Sequence, residues 1–275
     1  MREYAHRVLG IDELTWGVLA FVIIAALFAG WVDAVVGGGG LVQLPAMLLI
    51  PGITPVQALA TNKLGSIFGT ATSSITYYRR AKPDMRTATI MAVIALIGSF
   101  VGAFVATILP ASVFKPIIVL ALIGVALFTA FKPAMGAKAM LRFHGKKHIL
   151  SATALGAVIG FYDGMIGPGT GTFLVISLVG LIGYDFLQAS AKAKIVNFAT
   201  NLGALLLFVP HGSVLWMLGI VIGIANMLGS YIGSRMAISR GTKFIRIVFL
   251  VVVAALIIKL SFDVWAENIA PLLGA

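Results

Sequence analysis

Two segments of this chain break a membrane-type apolar pattern in the same way. Gly30 to Pro45 reads GWVDAVVGGGGLVQLP, and Gly160 to Val175 reads GFYDGMIGPGTGTFLV. Each puts one aspartate, Asp33 or Asp163, inside apolar sequence and follows it four residues later with a glycine-rich or proline-containing break. An uninterrupted helix in hydrocarbon would avoid such a break, because every freed backbone N–H and C=O there needs a partner. The pattern predicts two broken helices and a site where they break.

The solvent of the rest follows from composition. Of 275 residues, 60% are hydrophobic and only 11% charged, and the mean hydropathy is +1.06, far from the soluble average. A polytopic, all-α membrane protein in a lipid bilayer is expected. The net charge of +11 does not point to nucleic acid, since the basic residues lie in short segments between apolar spans and read as topology determinants. Cysteine is absent, which removes disulfide and thiolate chemistry. His6, His144, His148 and His211 show no metal-ligand spacing and read as loop residues, so no metal or cofactor is expected. The run Leu14 to Val36 has the look of a secretion signal cleaved near Ala29. Its counterpart at Ile149 to Ile166 cannot be one, so the first is expected to be retained.

Apolar spans fall at about 14–36, 41–50, 57–78, 87–109 and 113–131, then again at 149–166, 171–183, 186–208, 214–237 and 243–262. Asp33 and Asp163 are 130 residues apart, as are Gly37 and Gly167. QALATNK at Gln57 to Lys63 matches QASAKAK at Gln188 to Lys194, and GSFVG at Gly98 matches GSYIG at Gly229, both at offset 131. This is a duplicated unit. The expected organisation is a first repeat over 1–131, a basic cytoplasmic linker over 132–148 and a second repeat over 149–275.

Lys and Arg concentrate in Arg79–Arg86, Lys132–Lys147 and Arg235–Arg246, whereas Leu109–Ser112, Val209–Ser213 and the tail after Ser261 have none. The first group is placed in the cytoplasm and the second outside, with both termini outside. Spans 57–78 and 186–208 then run in opposite directions, which makes the repeats inverted. The short limbs 41–50 and 171–183 fall below the ~20 residues a spanning helix needs, so each half is read as a broken or re-entrant hairpin plus three transmembrane helices, about eight segments in all.

A helix restarting at Gly40 or Leu41, or at Thr170 or Gly171, presents free N–H groups and the positive end of its dipole. The glycines Gly37, Gly38, Gly39, Gly40, Gly167, Gly169 and Gly171 let a ligand approach the backbone. Beside them the sequence offers Asn62, Lys63, Ser66 and Thr70 in one half and Thr170, Lys194, Asn197 and Asn201 in the other. Helix N-termini, ammonium groups and amide donors together suit a small oxyanion. Plainer readings exist for each. Lys63 and Lys194 lie near span ends and could snorkel, the Ser, Thr and Asn faces could glue helices, and Gly98, Gly102, Gly229 and Gly233 read as helix-packing positions. Asp33 and Asp163 could carry a proton if unpaired. Capping backbone donors or pairing with Lys63 or Lys194 is the preferred, structural role.

The paired D-x-x-x-G-x-G-G/T segments, the Q-A-x-A-x-x-K stretches and the polar turns after them resemble the sulfite exporter TauE/SafE family, over about residues 15–262. The resemblance implies an inverted-repeat transporter of the bacterial inner membrane, exporting sulfite, sulfonates or related anions. The second copy departs from the first in having Pro168 and Thr170 where the first has Gly38 and Gly40, and Asn197 where the first has Ser66. The expected protein is a secondary transporter and not an enzyme. No G-x-x-x-x-G-K-[ST] motif is present, and an aspartyl protease is disfavoured because the two aspartates are repeat equivalents and no GxGD occurs. A cation exchanger or channel using the Asp pair is the alternative. Homo-oligomerisation is left open.

Overall fold

Thr15, whose hydroxyl accepts from the Val18 N–H, starts the first helix of a computed structural model that describes residues 15–110 and 139–264. Helix α1 (Trp16–Val36) stops at Gly37, whose positive φ of 84° ends the helix as its N–H donates to the Asp33 carbonyl at 2.8 Å. The chain restarts at once as α2 (Gly40–Leu48). Then come α3 (Pro55–Ala81), α4 (Met85–Ile108), α5 (Gly145–Met165) and a second short limb, α6 (Thr170–Ser177), which continues as one π-helical turn over Leu178–Ile182. Helices α7 (Phe186–Phe208) and α8 (Trp216–Val264) complete the described residues, which contain eight α-helices and no strand.

The matched glutamines have a local explanation. Gln57 and Thr54 form a reciprocal capping box at the start of α3. Gln188 holds the equivalent place in α7, where Asp185 caps its N–H at 2.9 Å and its own amide reaches the Ala81 carbonyl at 2.7 Å.

Trp16–Val36, Met85–Ile108 and Trp216–Gly241 are each long and apolar enough to cross a membrane. Their outward faces carry Phe21, Ile24, Phe28, Val93, Ile97, Phe104, Leu228 and Ile232, all exposed, as lipid-facing side chains should be. By contrast α2, at nine residues, rises about 13 Å and cannot cross. The basic stretch Arg235–Arg246 is helical on either side of a break at Gly241, where φ is 69° and ψ is −168°, so the interruption expected between spans 214–237 and 243–262 is present but shrinks to one residue. One expectation is corrected: His148, read as a loop residue, lies buried within α5. The span expected at 113–131 and both termini lie outside the described residues.

Packing pairs elements across the middle of the sequence. Helix α1 lies along α8 and α5 lies along α4, while α3 packs on α8 and α7 on α4. The glycines at GSFVG and GSYIG make these approaches close, as expected from their spacing. A Cβ on Gly98 or Gly102 would strike the backbone of Ala157 or Phe161, and one on Gly229 or Gly233 the backbone of Leu27 or Trp31. Gly30 rests on Asn226 just as Gly160 rests on Ala95. Each contact therefore has a counterpart 130 or 131 residues away.

Overpacking typically costs about 1–3 kcal/mol. Gly102→Val and Gly229→Val should each lower the thermal midpoint of the detergent-solubilised protein correspondingly. Gly17→Ala, whose Cβ meets nothing closer than 3.9 Å, should not lower the midpoint, since alanine favours the helix over glycine.

Candidate binding site

The two helix breaks meet each other. Gly37 and Gly171 are in backbone-to-backbone contact, so close that a Cβ on either would overlap the other's main chain. Gly40 faces Pro168 in the same way. The carbonyls left free at the end of α1 find their partners across this junction, as Thr172 donates its hydroxyl to Val36 O at 2.9 Å and its N–H to Gly37 O at 3.1 Å. Within the second break, Tyr162 donates to Pro168 O at 2.6 Å and Thr170 to Gly167 O at 2.6 Å. Each break thus supplies part of the other's hydrogen bonding.

Two buried ion pairs cross the junction. Lys63 Nζ lies 2.8 Å from Asp163 Oδ2, and Lys194 Nζ lies 2.9 Å from Asp33 Oδ2. Lys194 also donates to the Asp33 main-chain carbonyl. Both lysines are 1% exposed, so neither snorkels. The long side chain finds a carboxylate in the opposite half within reach, which is the structural alternative to reaching for the interface. Tyr77 braces the same turn by donating to Ala34 O at 2.9 Å.

Around these pairs lies a small cavity of about 20 Å³, lined by both breaks and by α3, α7 and α8. By this measure it has room for about one water. Of the residues expected from the sequence, Gly37, Gly39, Gly40, Asn62, Lys63, Ser66 and Thr70 border it from the first half, with Asp33. Gly167, Gly169, Thr170, Gly171, Asn197 and Asn201 border it from the second, with Asp163. Gly38 does not, its nearest neighbours being Leu41 and Val32, and Lys194 stands behind Asp33.

The donors here are only partly used. Leu41, Val42 and Gln43 donate back to Gly38 and Gly39, and Thr170 and Phe173 to Gly167 and Gly169. The Gly40 and Gly171 amides make no backbone hydrogen bond among the described residues. Asn201 Nδ2 reaches Thr70 Oγ1 at 3.4 Å, and Thr200 Oγ1 donates to Asn197 O at 3.0 Å. The buried Asn62 Oδ1 has no hydrogen-bond partner.

One lining residue was missed by the sequence reading. Asn226 on α8 borders the cavity and donates to Gln43 Oε1 at 2.6 Å. A single amide in the apolar run IVIGIANMLG was the available signal, since polar side chains at membrane depth seldom lack a task. Its counterpart at offset 131 is Ala95, so the two half-sites differ.

Lys192, the extra charge of the second copy, serves a different place. It donates to Asp84 O at 2.7 Å and stands over the Tyr184 ring, 4.8 Å from its centroid. Asp84 caps α4, and its hydrogen bond to Thr87 and the nearby Lys192 hold its carboxyl below the ordinary value despite partial burial.

The model of the family described as sulfite exporter TauE/SafE matches residues 22–260. The chain belongs to this TauE/SafE family. It is 39% identical over 254 residues to a probable membrane transporter protein, ORF9, of a Sinorhizobium species, an alignment covering 92% of this chain and 96% of that one. It is 35% identical over 265 residues to the probable membrane transporter protein YfcA of Escherichia coli K12, covering 96% of both. A probable membrane transporter protein of Haemophilus influenzae is 30% identical over 255 residues, covering 93% of this chain and 97% of that one. No solved structure matches. TauE/SafE membership and the apolar helices make this a membrane transporter, with the bilayer around it and a small molecule as its cargo.

Breaking one partner of a buried ion pair costs about 3–5 kcal/mol, whereas an apolar replacement of both is often neutral. Lys63→Met and Asp163→Leu should each strongly destabilise the protein in a thermal melt. The double variant should recover most of the loss, and strict additivity of the two single effects would rule out a direct pair.

Proposed function

We propose that this chain is a secondary transporter that exports a small sulfur-containing oxyanion, such as sulfite or an organosulfonate, across the bacterial inner membrane. One observation carries the reading. Two helix N-termini, four amide side chains (Asn62, Asn197, Asn201 and Asn226) and the Lys63 ammonium converge on a single buried cavity, and this donor-rich set suits an anion. Asp33 and Asp163 are each matched by a lysine, which leaves no uncompensated negative charge for a cation.

The matched contacts at offset 130 or 131 support two inverted-topology repeats, over 1–131 and 149–275 with the basic linker 132–148 between them. In that arrangement α2 and α6 are re-entrant limbs whose tips meet near the bilayer midplane, and the basic loops face the cytoplasm. The cavity takes about one water, so an oxyanion enters only when the tips part. As it does, Lys63 exchanges Asp163 for the substrate. Rocking of the two halves about the tips then exposes the site to either side in turn.

Proteoliposomes test this directly. Loaded with sulfite, they should release it faster than protein-free vesicles. Asn197→Ala and Asn201→Ala should each raise KM roughly tenfold, about the worth of one hydrogen bond to a charged group. Flux of sodium or calcium with no sulfite flux, insensitive to Asn197→Ala, would reject the anion reading.

A further inference from the structure

The basic end of the molecule has a second recess, about 540 Å³ in volume, between the C-terminal part of α3 and the part of α8 that precedes Gly241. Arg79, Arg80 and Arg235 line it with Thr76, Ser239 and Tyr231, and among the described residues no acidic side chain does. No ion pair among the described residues engages these three arginines. Arg235 is held in place by Tyr231, donating to its hydroxyl at 2.8 Å with its guanidinium carbon 5.3 Å from the ring centroid. The recess opens onto apolar surface. Ile75 lies one turn below Arg79, and Leu228, Tyr231 and Ile232 lie one to two turns below Arg235, all exposed.

We propose that this recess binds an anionic phospholipid, its phosphate held by Arg79, Arg80 and Arg235 and its acyl chains lying along Ile75, Leu228 and Ile232. Arginine forks match phosphate oxygens, and a basic pocket between membrane helices suits an anionic headgroup. The equivalent junction of α7 and α4 shows that the backbone does not require this chemistry. At offset 131, Arg79 and Arg80 correspond to Pro210 and His211, Tyr231 to Phe100 and Arg235 to Phe104. A lipid in the recess would tie α3, which carries Lys63, to α8, which carries Asn226. The proposal does not depend on which substrate is carried.

The test is a thermal-shift titration of the full chain in detergent with dioleoyl phosphatidylglycerol, dioleoyl phosphatidylcholine or inorganic phosphate. Phosphatidylglycerol should raise the midpoint saturably and the other two should not. The triple variant R79Q/R80Q/R235Q should need roughly tenfold or more of the lipid for half-saturation. K146Q/K147Q, which removes charge elsewhere in the basic segments, should titrate like the parent. Should the triple variant fail to fold, Arg235→Lys, which keeps the charge and loses the fork, should still weaken binding. Equal protection by inorganic phosphate, an equal effect of K146Q/K147Q, or an Arg235→Lys protein that titrates like the parent would each overturn the proposal.

Discussion

The structure depends on two buried charges from each half finding their opposites in the other. Taking a lysine and a carboxylate out of water costs several kcal/mol per ion, and nothing within α1, α3, α5 or α7 alone offsets that cost. Lys63 is satisfied only if α5 delivers Asp163, and Lys194 only if α1 delivers Asp33. Neither half can settle into this arrangement by itself. The same requirement brings α3 to α5 and α7 to α1 across the two halves.

Much of this was legible in the chain. The limb starts at Gly40 and Thr170 follow from glycine and proline chemistry, and the helix-packing role of Gly98, Gly102, Gly229 and Gly233 follows from spacing. So did most of the cavity lining, because polar residues four apart in an apolar span share one face. Three features were less accessible. Which lysine meets which aspartate is a question of tertiary crossing, on which local pattern is silent. The shortness of the break between the last two spans went unread because charged residues look like a loop, whereas helical φ/ψ there is interrupted at Gly241 alone. Asn226 stayed hidden because it has no partner in the repeat, and the comparison of halves directs attention to matched positions.

The halves are alike in backbone contacts and unlike in chemistry where they face the two ends of the molecule. Lys192 reaches the Asp84 carbonyl, while at the corresponding place the Leu215 N–H donates to the Thr61 hydroxyl. His148 meets Tyr184 at 2.7 Å, while the positions that correspond to them, Val18 and Ile53, join an apolar cluster. One end is therefore fastened by titratable groups and the other by apolar contact and a neutral hydrogen bond. Salt and pH act on the first, and temperature through the hydrophobic effect acts on the second.

The touch between Gly37 and Gly171 also bears on how such a chain can evolve. Two similar segments of a chain are ordinarily each free to accept side chains the other refuses. Here each loop is the mould of the other, and a methyl group gained by either has no space unless its opposite recoils. The pair at the junction is held to glycine as a pair, and differences between the segments fall at positions outside that contact, such as Gly38 and Pro168, Asn226 and Ala95, or Arg235 and Phe104, where one segment can carry a property the other lacks.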